Sequence, residues 1–170
     1  MEKLGSIVVD FFAHGYRVSG NYKARQRPLG DAIYDNTTSY LMVEDAYFST
    51  VTKPADITAS YPVATIVKQN LSLALTGNTD DALRRDQKYG SYLGLKLIPV
   101  FITLSAFELK GSLRIPGRLD VRVILSTQTE TFITLVDVTV RSTYKTDVTF
   151  TGGAALVNKT HIGFMGLQSL

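Results

Sequence analysis

The sequence predicts an all-β protein with short helical turns, folded as two tandem copies of a small β-barrel packed together. Two observations carry that expectation. Val, Ile, Thr, Tyr and Phe cluster in runs bounded by Gly, Pro, Asn and Asp, which is the pattern of short strands and tight turns. Three blocks also recur in the same order at an offset of about 90 residues. Ile7 to Lys23 (IVVDFFAHGYRVSGNYK) lies over Ile98 to Arg114 (IPVFITLSAFELKGSLR) without a gap, placing Gly20 on Gly111 and Tyr16 on Phe107. YLMVEDAYF from Tyr40 matches FITLVDVTV from Phe132, with Asp45 on Asp137, and ATIVKQNLSLAL from Ala64 matches AALVNKTHIGFM from Ala154.

The first copy opens with strands Ser6 to Ala13 and Tyr16 to Lys23 around His14-Gly15, a two-residue turn whose glycine accepts positive φ. The second copy has Ser105-Ala106 there, which is poor turn chemistry, so the chain runs on as one bent strand or makes a looser hairpin. Gly20 and Gly111 fall inside the second strand of each copy, where glycine permits sharp coiling or close backbone approach. In RPLGDAIYDN, Leu29 and Ile33 share a face of a short helix ended by Asn36. The equivalent Arg118 to Ser126 places Leu119 and Val123 at helical spacing, while alternating Val121, Val123 and Leu125 suit a strand equally well. Third strands follow at Ser39 to Val51 and Thr131 to Tyr144, and fourth strands with continuations at Val63 to Leu75 and Gly153 to Met165. The polar stretch Thr76 to Gly90 is the natural linker, with a helical turn through Asp80 to Arg85. The expected division is residues 1–76, a linker and lead-in at 77–95, and a second repeat at 96–170.

Units of roughly 75 residues bury proportionately little surface, so the copies are expected to pack on each other or the chain to form a homo-oligomer, with other protein subunits as further candidate partners. A composition of 45% hydrophobic and 19% charged residues fits a folded, extensively buried chain. The net charge of +3 is compatible with nucleic acid without demanding it. Residues 1–85 carry nine basic and nine acidic side chains and 86–170 carry nine and six, so a polyanion contact belongs with the second copy. The absence of cysteine removes disulfides, thiolate metal sites and a cysteine nucleophile. MEKLGSIVVDFF lacks a signal-peptide apolar core, and Leu93 to Leu109 is broken by Lys96, Pro99 and Glu108, so a cytoplasmic protein without a membrane span is expected.

With these residues in place, each copy resembles the Sm-like family, the bent-strand barrels of the Sm, LSm and Hfq proteins. The shared pattern is a hydrophobic strand, a turn, a strand with an internal glycine (YRVSGNYK and FELKGSLR), an apolar strand ending in Asp (LMVEDA and ITLVDV), and a late strand before Ile or Leu. VNKTHIGFM from Val157 is similar to the Hfq-type segment: Lys159 matches in its spacing to Ile162, and His161 is displaced by one position. The insertion Arg25 to Asn36 is longer than the family's turn, and the Asn and aromatic of the family's RNA-reading third loop have no clear counterparts here. The resemblance implies a ring of barrels joined by edge-strand pairing and able to bind RNA.

No catalytic or metal motif accompanies this pattern. Two dispersed histidines provide no zinc spacing such as HExxH, and neither a phosphate loop, Gly-x-Ser-x-Gly nor any other cofactor signature occurs. His14 reads as a turn residue, Asp80-Asp81 beside Arg84 and Arg85 as a solvated helical turn, and Gly152-Gly153 as a turn. Asp45 and Asp137 recur after apolar residues and read as turn or bulge positions, because Asp hydrogen-bonds nearby backbone amides. His161 is either a polyanion contact or a plain surface histidine. The candidate nucleic-acid contacts are Arg17, Lys23, Arg25 and Arg27 in the first copy, and Lys110, Arg114, Arg118, Lys159 and His161 in the second. Tyr16, Tyr22 and Phe107 interleave with them, which suits base stacking or, equally, inward packing beneath a charged strand face. A non-enzymatic, self-assembling scaffold is the expected function, with an Sm-like RNA binder as the alternative.

Overall fold

A computed structural model describes residues 5–85, 87, 95–116, 120–126 and 130–168. The first copy contributes β1 (Ile7–Ala13), β2 (Tyr16–Tyr22), α1 (Leu29–Tyr34), β3 (Tyr40–Thr50), β4 (Lys53–Val67) and β5 (Leu73–Thr76). A short helix α2 (Thr79–Ala82) leads towards the second copy, which contributes β6 (Leu95–Thr103), β7 (Phe107–Pro116), α3 (Val121–Ser126), β8 (Phe132–Ser142), β9 (Thr149–Asn158) and β10 (Phe164–Leu167). A 3-10 turn joins β4 to β5 at Lys68–Asn70, and another joins β9 to β10 at Lys159–His161. The protein is thus mainly β, with the same five-strand succession twice.

The strands form one antiparallel sheet in the order β10-β6-β7-β8-β9-β5-β1-β2-β3-β4. The barrel expectation is modified here. Each copy has the internal order fifth, first, second, third, fourth, but the two are welded where β5 pairs with β9, and the sheet remains open at β4 and β10. The one-residue frame of the closing repeat also changes. Register places Val43 opposite Ala64 and Leu135 opposite Ala155, so Val63 corresponds to Ala154 and Lys68 to Lys159. In a strand, one residue of frame exchanges the two faces, which is why the distinction matters below.

Local chemistry explains the strand connections. His14 and Gly15 both take positive φ, 51° and 78°, and turn β1 tightly into β2. Ser105-Ala106 also closes a hairpin, with the Leu104 amide donating to the Phe107 carbonyl at 2.8 Å. Asp45 and Asp137 adopt φ of 50° and 52° at β-bulges facing Gly20 and Gly111. A side chain on Gly20 would come 3.1 Å from the Glu44 carbonyl, and one on Gly111 3.1 Å from that of Val136, so both glycines serve close backbone approach. The segment Arg118 to Ser126 resolves in favour of helix over Val121–Ser126; Leu119 lies outside the described residues.

Three further boundaries differ from the sequence reading. β4 begins at Lys53 and carries Pro54 and Pro62, residues an edge strand accommodates because its outer N–H groups have no partner to lose. Gly152 and Gly153 lie within β9 instead of a turn; a Cβ there would approach the carbonyls of Thr76 and Gly77 at 2.6 and 2.7 Å. The expected polar linker is partly packed: Ala82 and Leu83 are buried, and the Thr79 hydroxyl donates to the Gly153 carbonyl at 3.1 Å.

Each of the two hydrophobic clusters draws on both copies. Val9, Phe11, Val43, Leu71 and Ile66 cluster with Phe132, Val136, Ala154 and Leu156 from the second copy. Leu109, Leu135, Val140 and Val157 cluster with Phe12, Val51, Leu73 and Leu75 from the first. Phe12 meets Phe107 and Phe150 edge-on at centroid distances of 5.3 and 5.0 Å.

Candidate functional site

The weld between the copies is reinforced by side-chain hydrogen bonds on top of its strand pairing. Its backbone ladder pairs Leu73 with Val157, Ala74 with Leu156, Leu75 with Ala155 and Thr76 with Ala154. Side chains lock it at one end. The buried Asn158 amide donates to the Leu71 carbonyl at 3.0 Å, and its oxygen accepts from the Thr160 amide at 3.0 Å and hydroxyl at 2.7 Å. His161 spans the same gap, with Nδ1 2.9 Å from Ser72 Oγ and Nε2 donating to the Gln69 carbonyl at 2.9 Å. On the other side of the ladder, Tyr34 and Thr134 share a 2.8 Å hydroxyl hydrogen bond and Arg84 pairs with Glu130 at 2.6 Å. The Arg84 guanidinium also lies 4.4 Å from the centre of the Tyr34 ring.

A cleft of about 470 Å3 opens beside the lock, lined by Ile33, Asp35, Thr38, Gln69, Phe132 and Thr160 among others. Lys68 reaches its wall but is fully engaged: Nζ donates to the carbonyls of Ala32 and Asp35 at 2.7 and 2.6 Å and to Thr38 Oγ1 at 2.8 Å. Burial pushes its amine below the usual lysine range. Lys159 is its counterpart, donating to the Ile124 carbonyl at 3.0 Å, and burial lowers its pKa as well. Asp35 is held well below the usual carboxylate range, first by the Thr37 hydroxyl and amide and then by Arg27, whose guanidinium is 2.7 Å away.

The sequence-derived cations are distributed widely. Arg17 pairs with Asp10 at 3.0 Å and stacks over Phe150, and Lys23 pairs with Glu44 at 2.7 Å. Arg25 is exposed and its backbone amide bonds the Gly5 carbonyl; Arg27 pairs with Asp35. Lys110 and Arg114 lie on β7, separated in the sheet from the β2 of Arg17 by β8, β9, β5 and β1. Arg118 lies outside the described residues. Of the interleaved aromatics, Tyr22 and Phe107 pack inward, while Tyr16 is exposed. Among the described candidates, Lys159 and His161 sit at the weld.

Sequence reasoning missed Asn158, Ser72, Tyr34 and Thr134 as weld residues. Asn158 carried a usable signal, being a polar side chain that ends the apolar run AALV. Among the described residues, no cluster of His, Asp and Glu could hold a metal ion, and no helix is long and apolar enough to cross a membrane. No family model matches this chain, and no curated protein or solved structure similar to it was found.

Proposed function

We propose that this chain is a non-enzymatic structural protein that assembles with copies of itself by repeating, between chains, the strand pairing that welds its two halves. The carrying observation is a difference in burial between equivalent strands. Phe164 on β10 is 77% exposed, whereas its counterpart Leu73 on β5, covered by β9, is 0% exposed. Val63 on β4 is 48% exposed, whereas its counterpart Ala154 on β9 is 0% exposed. The two open edges are the two strand types that already pair inside the molecule, β5-like and β9-like, so one chain's β10 complements another's β4. By the internal register, Phe164 would face Ile66, Met165 Thr65, Gly166 Ala64 and Leu167 Val63. Such a heterologous contact yields a ring if the rotation closes and a filament if it does not. A ring built this way contains an even number of five-stranded units.

Native mass spectrometry at low salt tests this reading. The wild type should show a discrete multimer, and Phe164→Asp, at a position exposed in the single chain, should reduce it to one chain mass. A wild type that stays a single chain at tens of micromolar overturns the proposal.

The alternative is an Sm-like RNA binder. The cleft beside Gln69 and Thr160 is its candidate surface, although the lining is largely apolar and Lys68 there is engaged by its own fold. Nuclease-sensitive mass retained on the multimer, weakened steeply by salt and by replacing Lys110 and Arg114 with Ala, would support it.

A further inference from the structure

The connection between the second and third strands of each copy carries a helix, α1 in the first and α3 in the second. Inside the chain, α1 also serves the other copy. Ala32 and Ile33 belong to the cluster that contains Phe132, Val136, Ala154 and Leu156, and Tyr34 bonds Thr134. These second-copy residues form the outer face of β8 and β9; the alternating Ile133, Leu135, Ala155 and Val157 face the other cluster. Thus the end of α1 covers the outer face at the start of β8, while α2 packs on β9 beside it.

The same face of β3 and β4 presents Tyr40, Met42, Val63, Thr65 and Val67 to solvent. Tyr40 is 56% exposed where its counterpart Phe132 is 2% exposed, so the roof over this face is missing in the single chain. The matching helix position is also exposed. Leu125 on α3 is 37% exposed, whereas its counterpart Ile33 on α1 is 2% exposed. An apolar platform on β3 and β4 and an apolar residue of α3, each buried in its duplicate, therefore stand exposed on the single chain.

We propose that α3 of one chain seats on the outer face of a second copy where β3 begins and β4 ends, with Leu125 against Tyr40, Met42 and Val67, as the end of α1 lies beside Phe132, Thr134 and Asn158 within the chain. The inference rests on the edge-joined assembly and adds a second contact that flanks the β10–β4 ladder. Between chains, Ser126 and Met42 occupy the places that Tyr34 and Thr134 hold inside the chain, so this seat is apolar and lacks the hydroxyl hydrogen bond of the internal weld. Chains consequently part more readily from each other than the two halves do.

The absence of native cysteine makes the contact directly testable. Ser126→Cys and Met42→Cys chains, co-expressed and treated with a short bismaleimide, should give a covalent dimer that neither variant gives alone. Leu125→Asp should lower the yield more than tenfold, and Leu125→Met should keep it. An intact multimer without the mixed cross-link overturns the helix seat and leaves edge assembly standing. Equal cross-linking in either single variant shows a two-fold contact and also overturns it. A single-chain native mass overturns edge assembly and the helix seat together.

Discussion

Lys68 and Lys159 occupy equivalent 3-10 turns and donate to equivalent helix carbonyls, those of Ala32 at 2.7 Å and Ile124 at 3.0 Å. Each lysine ties the fourth-to-fifth strand turn to the helix inserted after the second strand. Lys68→Met removes three donated hydrogen bonds, of which that to the Ala32 carbonyl is buried, a loss of about 1–3 kcal/mol. Lys159→Met removes the equivalent tie to Ile124 and should also destabilise. Urea unfolding midpoints measure each, and a midpoint unchanged by Lys68→Met would show that the tie contributes nothing.

The bulge pairs Gly20 with Asp45 and Gly111 with Asp137. A branched side chain in the left-handed region strains the backbone, so Asp45→Val should lose about 1–2 kcal/mol. Asp45→Gly, which fits that φ without strain, should stay within about 0.5 kcal/mol of wild type. The same pair of substitutions at Asp137 should repeat the contrast in a thermal melt, and a tolerated valine would remove the bulge as a determinant.

Asp35 supplies an acid-sensitive clamp at the end of α1. Its carboxyl is depressed in the folded protein, so its contribution is present above the unfolded-state pKa and disappears as pH falls through the lower folded value. Wild type should therefore lose stability below about pH 4 more steeply than Asp35→Asn does. Parallel acid limbs for the two proteins, measured by denaturant titration, would contradict this.

Close backbone approach at the weld predicts a sharp contrast between two neighbouring glycines. A Cβ on Gly153 would meet the Gly77 carbonyl at 2.7 Å and the Thr79 amide at 2.8 Å, whereas one on Gly77 meets nothing within 4 Å. Gly153→Ala should cost about 1–3 kcal/mol by forcing α2 away from β9. Gly77→Ala should be neutral or mildly stabilising. Similar unfolding midpoints for both would show that the approach is relaxed at no cost.

Much of the fold was legible because it is written in local chemistry. His14-Gly15, the recurring Gly and Asp of the bulges, and the Leu29–Ile33 spacing each depend on residues a few positions apart. The single sheet was not legible, because pairing of Leu73–Thr76 with Ala154–Val157 joins segments whose sequences say only that they are apolar strands. The repeat frame slipped by one at Ala64 for a related reason: small and branched residues sit on both faces of β4 and β9, so alternation did not fix which face was which. Pro54 and Pro62 argued against a long β4, and only its edge position reconciles them with a strand. Of the candidate site, Lys159 and His161 were found through spacing, while Tyr34 and Thr134 acquire their role from packing between the copies.

The interleaving of the two clusters bears on how the chain is made. Val9 and Phe11 are made well over a hundred residues before Phe132, Ala154 and Leu156, which their cluster needs. At a translation rate of about 5–20 residues per second, the first copy waits several seconds with apolar strands uncovered. Contacts of such long sequence separation also form slowly after release. During that interval β5 lacks its β9 neighbour and presents an open edge to strands of other nascent chains.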